Sequence, residues 1–394
     1  SIASPTPFQP PVARTIHGPD GMAVPWQYHE RTRPAADAAF DRFGCDRNSS
    51  PMQPGFPDPT QQRRRFLTQA GTLALAPCAA ALGWTSLVRQ TQAMTQPTPI
   101  LDCHQHLWDL TRFRLPWIAA GSVLDRSYLP ADYAQAIAGT GIVRAIYMEV
   151  DVDPTQRQEE ADWVQTLCRQ GQGPTVAAVV AGRPAEPGFS QYVTPFRDSR
   201  HVKGVRQVLH GAGTPRGYCL QEAFVRGVRL LGTLGLSFDL CMRPQELEDA
   251  VTLARQCPDT QLILDHCGNA DPKAFLRPGD SRVQHVRPEH EADAWRRQID
   301  RLAACPNVLC KLSGIVARVP KPWSADDLAP IVRHCLEAFG PTRVVFGSDW
   351  PVCLLGASLA EWVLALRQIL ADRPAEVQQQ VLHDNAVRYY RLGA

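Results

Sequence analysis

The chain carries almost no net charge, +2 over 394 residues with histidine neutral. No basic stripe runs through its later part, so a nucleic-acid partner is not expected. It has 12 cysteines but no C-x-x-C pair. That excludes a disulfide framework and a structural zinc ribbon. The cysteines stand singly, several inside strand-like runs (Cys103, Cys241, Cys310), and read as small core hydrophobes. The apolar run from Thr72 to Trp84 is too short and too alanine-rich for a stable membrane span. No G-x-G-x-x-G follows the first strand, which removes the commonest support for an open dinucleotide-binding sheet. What is present is a 44% hydrophobic composition, enough for a large core. These exclusions point to a small-molecule partner; they say nothing of oligomeric state.

Residues 1–60 are rich in Pro, Asp, Ser and Arg without a lasting apolar period, and are expected to be a disordered extension. Met52 is an alternative start. Residues 61–98 read as a signal segment and linker. Arg63-Arg64-Arg65-Phe66-Leu67 precedes the apolar run, the order of a charged n-region and an h-region. Arg63-Arg64-x-Phe66-Leu67 resembles the twin-arginine export motif, which predicts export of a folded protein to the periplasm. The alternative is a chance basic cluster before a short helix in a cytoplasmic protein. Folding in a reducing cytoplasm before export suits unpaired cysteines.

From residue 99 to 394, strands and helices alternate. Strands are predicted at Ile100–His106, Ile142–Val150, Thr175–Ala181, Val202–Leu209, Leu236–Cys241, Gln261–His266, Asn307–Leu312 and Arg343–Phe346. Helical patterns cover Ala131–Ala138, Glu159–Arg169, Leu220–Leu234, Pro244–Gln256, Ala292–Ala304, Ala325–Phe339 and Ser358–Leu370. No clear helical pattern falls between the third and fourth strands. Eight strands in strict alternation argue for a (β/α)8 TIM barrel in the α/β class. Asp271–Arg287 is a long polar loop, expected as a lid or wall of the site.

In such a barrel the chemistry gathers at the C-terminal ends of the strands. Those ends carry His104 and His106, Glu149, Arg206 and His210, Cys241, His266, Lys311 and Ser313, and Asp349. Period-two alternation puts Asp102, His104 and His106 on one face of the first strand. Asp349 could cap a following helix, but Trp350-Pro351 intervenes, which favours a general base. His104, His106, His266 and Asp349 supply three nitrogens and an oxygen, enough for one Zn or Mn ion with a position open to water. Without a metal, the three imidazoles would act as hydrogen-bond donors instead. Trp108, Trp117 and Trp350 could stack on a sugar ring or pack the barrel rim.

Asp102-Cys103-His104-Gln105-His106-Leu107-Trp108-Asp109, Tyr147-Met148-Glu149-Val150-Asp151, Gly204-Val205-Arg206, Leu264-Asp265-His266-Cys267-Gly268, Cys310-Lys311-Leu312-Ser313-Gly314 and Phe346-Gly347-Ser348-Asp349-Trp350-Pro351-Val352 together resemble the amidohydrolase superfamily. More narrowly they resemble its amidohydrolase-2 group of sugar-acid and pyrone dicarboxylate lactonases. The resemblance implies that His104, His106 and His266 bind a carbonyl or a metal and that Asp349 activates water. It implies a substrate contact from Arg206, whose alternative is a salt bridge inside the barrel mouth. From their strand-end positions Glu149, Trp108 and His210 join the substrate-binding candidates, with Glu149 otherwise pairing with a neighbouring Arg and His210 otherwise solvated. The fifth strand lacks the histidine that two-metal members carry, and Lys203 stands at the wrong strand end for a bridging lysine. The expected reaction is opening of a small lactone, such as a fuconolactone or rhamnonolactone, by water. The alternative is a metal-dependent non-oxidative decarboxylation.

Overall fold

The computed structural model describes residues 98–393; the expected extension and the Arg63-Arg64 segment lie outside the described residues. Eight parallel strands pair in sequence order: β1 (Ile100–Gln105), β2 (Ile142–Met148), β3 (Thr175–Ala181), β4 (Val202–Val208), β5 (Ser237–Cys241), β6 (Leu262–Leu264), β7 (Val308–Leu312) and β8 (Val344–Phe346). The ring closes where β8 runs out against β1. Asp349 N donates to His104 O at 2.8 Å and His106 N to Trp350 O at 2.7 Å. The closure bonds of this (β/α)8 barrel thus pass through the backbone of three predicted site residues.

Small and branched side chains fill the interior. Leu101, Cys103, Ile146, Met148, Ala177, Val179, Ile263, Leu309 and Val345 form one buried cluster, joined by Ala386 and Tyr390 from the last helices. A larger apolar layer separates the strands from the helices. The helix Ala325–Phe339 starts at a Ser324 capping box with Asp327. Its Pro330 lies in the second turn and has no N–H for the Asp326 carbonyl, so the helix runs on past one unmade backbone bond. Between β3 and β4 only a short helix forms, Phe189–Val193. Among the described residues no helix is long and apolar enough to cross a membrane.

One expectation fails at β1. Its register against β2 slips between Asp102 and Gln105, so side-chain alternation breaks there. Asp102 leaves the histidines and accepts from Tyr133 Oη (2.7 Å), Ser348 Oγ (2.5 Å), Ser348 N (2.7 Å) and His104 N (3.0 Å). Four donors saturate the carboxylate. It ties β1 to the β8 end and to the helix Pro130–Ala136, and takes no place in the site.

Candidate active site

His104, His106 and Asp349 converge in the barrel mouth. Asp349 Oδ1 lies 3.3 Å from His106 Nε2 and 3.6 Å from His104 Nε2. The His266 ring centroid is 4.6 Å from that of His104. His266 and Asp349 both have left-handed backbone, with φ of 54° and 57°. Such conformations cost energy in residues other than glycine and collect at functional sites. Here they turn two side chains inward just beyond their strands. Two glycines make room for the rings. A Cβ on Gly347 would stand 2.6 Å from His104 Cβ, and one on Gly314 only 2.4 Å from His266 Nδ1.

A polar layer that sequence reading largely missed lies around His104. Lys311 Nζ sits 2.6 Å from Asp239 Oδ2, 2.9 Å from Asp265 Oδ1 and 3.3 Å from His104 Nδ1, all fully buried. Burial alone would push the ammonium down, but Asp239 and Asp265 override it and hold it well above its ordinary range. Burial likewise works against ionised Asp265, yet Lys311 and His104 bring its carboxyl well below the ordinary value. Burial drives His104 well below the ordinary imidazole range, Asp265 opposing and Lys311 reinforcing. Burial also lowers His266. Neutral imidazoles are therefore the resting state of both. Asp265 was legible as an acid beside a strand-end histidine, and Asp239 as an acid inside an otherwise apolar strand.

Arg206 and Glu149 form one unit. Arg206 Nε donates to Glu149 Oε1 and its Nη2 to Glu149 O, both at 2.6 Å. Glu149 Oε2 accepts from Asp151 N at 2.7 Å. Glu149 is fully buried and spent on these bonds, so of its two readings the pairing with a neighbouring Arg holds: it orients Arg206 and is not free to contact substrate. Arg206 keeps Nη1 for the site, 3.3 Å from His104 Nε2 and 3.6 Å from Asp265 Oδ2.

Two further expectations are corrected. Trp108 is fully buried, its indole donating to Arg126 O at 2.7 Å and meeting Tyr128 edge-on, so it packs the rim and offers no face to a ligand. Trp350, 2% exposed and packed edge-on against Tyr128 and Tyr133, does the same. Trp117 differs: it is 42% exposed, with its indole fixed on Val150 O at 2.7 Å. His106 Nδ1 is held by Met148 O at 2.9 Å, two residues back on the same strand end. His210, just beyond β4, keeps an exposed face and makes no hydrogen bond to the cluster, yet it lies near enough that burial, with His266 and Arg206 reinforcing, lowers it to about 4.

A family model described as amidohydrolase matches residues 101–392. The chain belongs to this amidohydrolase family. Over 307 residues it is 30% identical to an L-fucono-1,5-lactonase of Burkholderia multivorans, covering 74% of this chain and 96% of that protein. An L-rhamnono-gamma-lactonase of Scheffersomyces stipitis is 22% identical over 344 residues, covering 74% and 98%. A crystal structure of a Burkholderia multivorans amidohydrolase with bound zinc superposes with a TM-score of 0.65 at 28% identity, covering 75% of this chain and all of that one.

The donor set of this amidohydrolase fits a divalent ion. The Met148 carbonyl can only accept, so it fixes a proton on His106 Nδ1 and turns Nε2 to the cluster. The Nε2 lone pair then faces Asp349 Oδ1 at 3.3 Å. Two lone pairs so close repel unless a positive centre, a proton or a metal, lies between. Tetrahedral zinc with bonds near 2.0–2.1 Å separates neighbouring ligand atoms by about 3.3 Å, close to the spacings around Asp349. The ligand atoms of His104, His106 and Asp349 lie within 4.8 Å of one another, as do those of His104, Asp265 and His266. His104 is common to both groups. The four expected ligands therefore do not make one shell: His266 groups with Asp265 instead of with His106 and Asp349. Charge agrees with the fit. Glu149, Asp265 and Asp349 outnumber Arg206 and Lys311 by one when all are ionised, and Asp239, pushed up by burial to about 7, adds a further negative charge above that pH.

Proposed function

We propose that this amidohydrolase opens a small lactone, specifically the cyclic ester of a sugar acid, by attack of water. The observation that carries the reading is the placement of Asp349 Oδ1 against two imidazoles, beside the Arg206 Nη1 that approaches His104 Nε2 at 3.3 Å. Asp349 takes a proton from the attacking water. A carboxylate of ordinary basicity is a weak base for water, so the carbonyl must be strongly polarised. Arg206 Nη1, held by Glu149, is a charge-assisted donor for the developing oxyanion. His266, its Nδ1 against Ser313 Oγ at 2.9 Å, can hold the departing ring oxygen by a hydrogen bond while Asp349 passes on to that oxygen the proton it took from water. His104, His106 and Asp349 would hold a divalent ion, which when bound lowers the pKa of water and polarises a carbonyl. Trp117 supplies an exposed aromatic face suited to the C–H side of a sugar ring. The lactonases named above support this substrate class. On the sequence alone, we propose that the protein acts in the periplasm after export through Arg63-Arg64.

The test is a panel of aldono-1,4- and 1,5-lactones followed with a weakly buffered pH indicator. Ring opening releases an acid, so turnover appears as proton release. Release from no aldonolactone, together with carbon dioxide release from an aromatic acid, would replace this reading with a decarboxylase.

A further inference from the structure

All ten cysteines among the described residues are unpaired and buried. Three of them meet. The Sγ atoms of Cys267, Cys310 and Cys335 lie within 4.8 Å of one another. They come from three separate elements: the turn after β6, β7 itself, and the helix Ala325–Phe339. All three are fully buried in the apolar layer between barrel and helices, apart from the polar mouth. Isolated cysteines serve as core hydrophobes, but nothing in that role requires three sulfurs on one point.

We propose that this triad is a second metal site, selective for a soft monovalent ion of the copper(I) type. Three sulfurs at bonds of about 2.3 Å around a planar trigonal ion stand about 4 Å apart, which the present spacing approaches with small side-chain rotations. No His, Asp or Glu joins the group among the described residues, so the fourth ligand that structural zinc takes is missing. The apolar wall repels hard, hydrated cations, and thiolate ligands select soft ones. On binding, sulfur–copper bonds form and the displaced thiol protons pass to solvent; no oxidant or reductant is needed. Entry depends on local opening, so loading is slow.

The site also reaches the chemistry. Cys267 follows His266 directly, and Cys310 precedes Lys311. From His266 to Asn269 the backbone is left-handed throughout, with φ of 54°, 53°, 69° and 53°. Trp295 Nε1 on Cys267 O at 2.9 Å and Asn269 Nδ2 on Met242 O at 2.8 Å pin this turn. Ligation takes the thiol proton with which Cys267 Sγ donates to Lys311 O at 3.7 Å, and so breaks a contact between the His266 turn and the Lys311 strand end. Copper loading therefore inhibits; this part rests on the lactonase reading, whereas the binding itself does not.

The experiment uses the full chain with Cys45→Ser and Cys78→Ser, two cysteines outside the described residues. It is equilibrated anaerobically for a day with copper(I) bicinchoninate, and the colour lost from the chelator is read. One equivalent should transfer. X-ray absorption of the loaded protein should show sulfur neighbours near 2.3 Å. Cys310→Ser and Cys335→Ser should each lower affinity at least tenfold, while Cys168→Ser, a buried cysteine outside the triad, and His104→Asn should not. No transfer, nitrogen or oxygen neighbours only, or equal binding by the triad variants would overturn the site. The absorption measurement needs no variant, so a misfolded substitution leaves the proposal open to refutation. Copper bound with full lactone turnover would overturn the coupling to His266 alone, and an absence of lactone turnover before loading would count against the lactonase reading alone.

Discussion

Gly314→Ala should cripple the enzyme without unfolding it. The added Cβ would stand 2.4 Å from His266 Nδ1, 2.5 Å from its Cγ and 2.8 Å from its Cβ. Ordinary contact begins at 3.4 Å, so the imidazole must retreat by 1.0 Å. It cannot swing freely, because the whole ring root is struck and its backbone is already left-handed at φ 54°. A misplacement of about 1 Å in a reacting group costs roughly 10²-fold in rate. Gly314 itself has φ +70°, so alanine there adds about 1–2 kcal/mol of backbone cost. That second effect needs a control, and Gly171 supplies it. It closes the helix Arg157–Gln170 at φ +60° with nothing within 4 Å of a new Cβ. Gly171→Ala should lose about 1–2 kcal/mol in urea unfolding and keep full turnover. Gly314→Ala should lose at least that stability and fall about 100-fold in kcat. If both variants turn over lactone at the wild-type rate, His266 has no part in the reaction.

Asp349→Asn keeps shape and removes the base; kcat should drop by about 10²–10⁴ with the fold intact by circular dichroism, and more than about a tenth of wild-type kcat would remove Asp349 from that role. Burial beside Glu149 raises Glu160 from 4.5 to about 8. Its folded pKa exceeds the unfolded one, so its contribution to stability is complete below about pH 4.5 and is lost as pH rises toward 8, by up to ~1.4 kcal/mol per unit. Glu160→Gln should therefore gain on the wild type in urea midpoints as pH goes from 5 to 8; parallel curves would show that Glu160 is ionised throughout. Prolonged chelation should release one divalent equivalent and lower activity, restored by zinc or manganese, and a measured content of two tightly held ions would contradict the single donor set. Replacing Arg63 and Arg64 with Lys keeps charge yet should retain the protein in the cytoplasm, as cell fractionation and intact mass would report; normal export would refute the twin-arginine assignment.

The barrel was legible because its strands are short apolar runs between turn signals, a pattern that survives without any tertiary information. The predicted helix Ala325–Phe339 and the observed one coincide, since a capping box starts it and Gly340 ends it. The region between β3 and β4 resisted because its helix is only five residues long. The last helices, Ala375–Gln379 and Asn385–Tyr389, were missed; a π-type turn, Gln380–Asp384, separates them and breaks the 3.6-residue period. In the candidate site, reading strand ends singled out His104, His106, His266, Arg206 and Asp349, and the fold brings these side chains together at one mouth. It failed where the answer depended on local geometry. A one-residue slip in β1 moved Asp102 to another face, and no periodicity rule foresees a slip.

The same limit explains why the layer around the histidines was read too lightly. A strand-end rule looks only at the rim, whereas His104 works by what lies below and beside it. Lys311 and Arg206 approach its two nitrogens, at 3.3 Å each, so a proton on both nitrogens would face a cation from either side. Asp265, 3.5 Å from Nδ1, is the group able to accept from that nitrogen. Lys311 is the poorer partner there, since its hydrogens go to Asp239 and Asp265 at shorter range. The arrangement favours a neutral ring with its proton on Nδ1 and its lone pair on Nε2, toward Asp349 and Arg206. That is the form a metal ligand or an acceptor from Arg206 requires. On the proposed mechanism Asp265 and Lys311 act through His104, and removing either should disturb the pH profile of turnover more than the affinity for lactone; an unchanged profile in both variants would refute this.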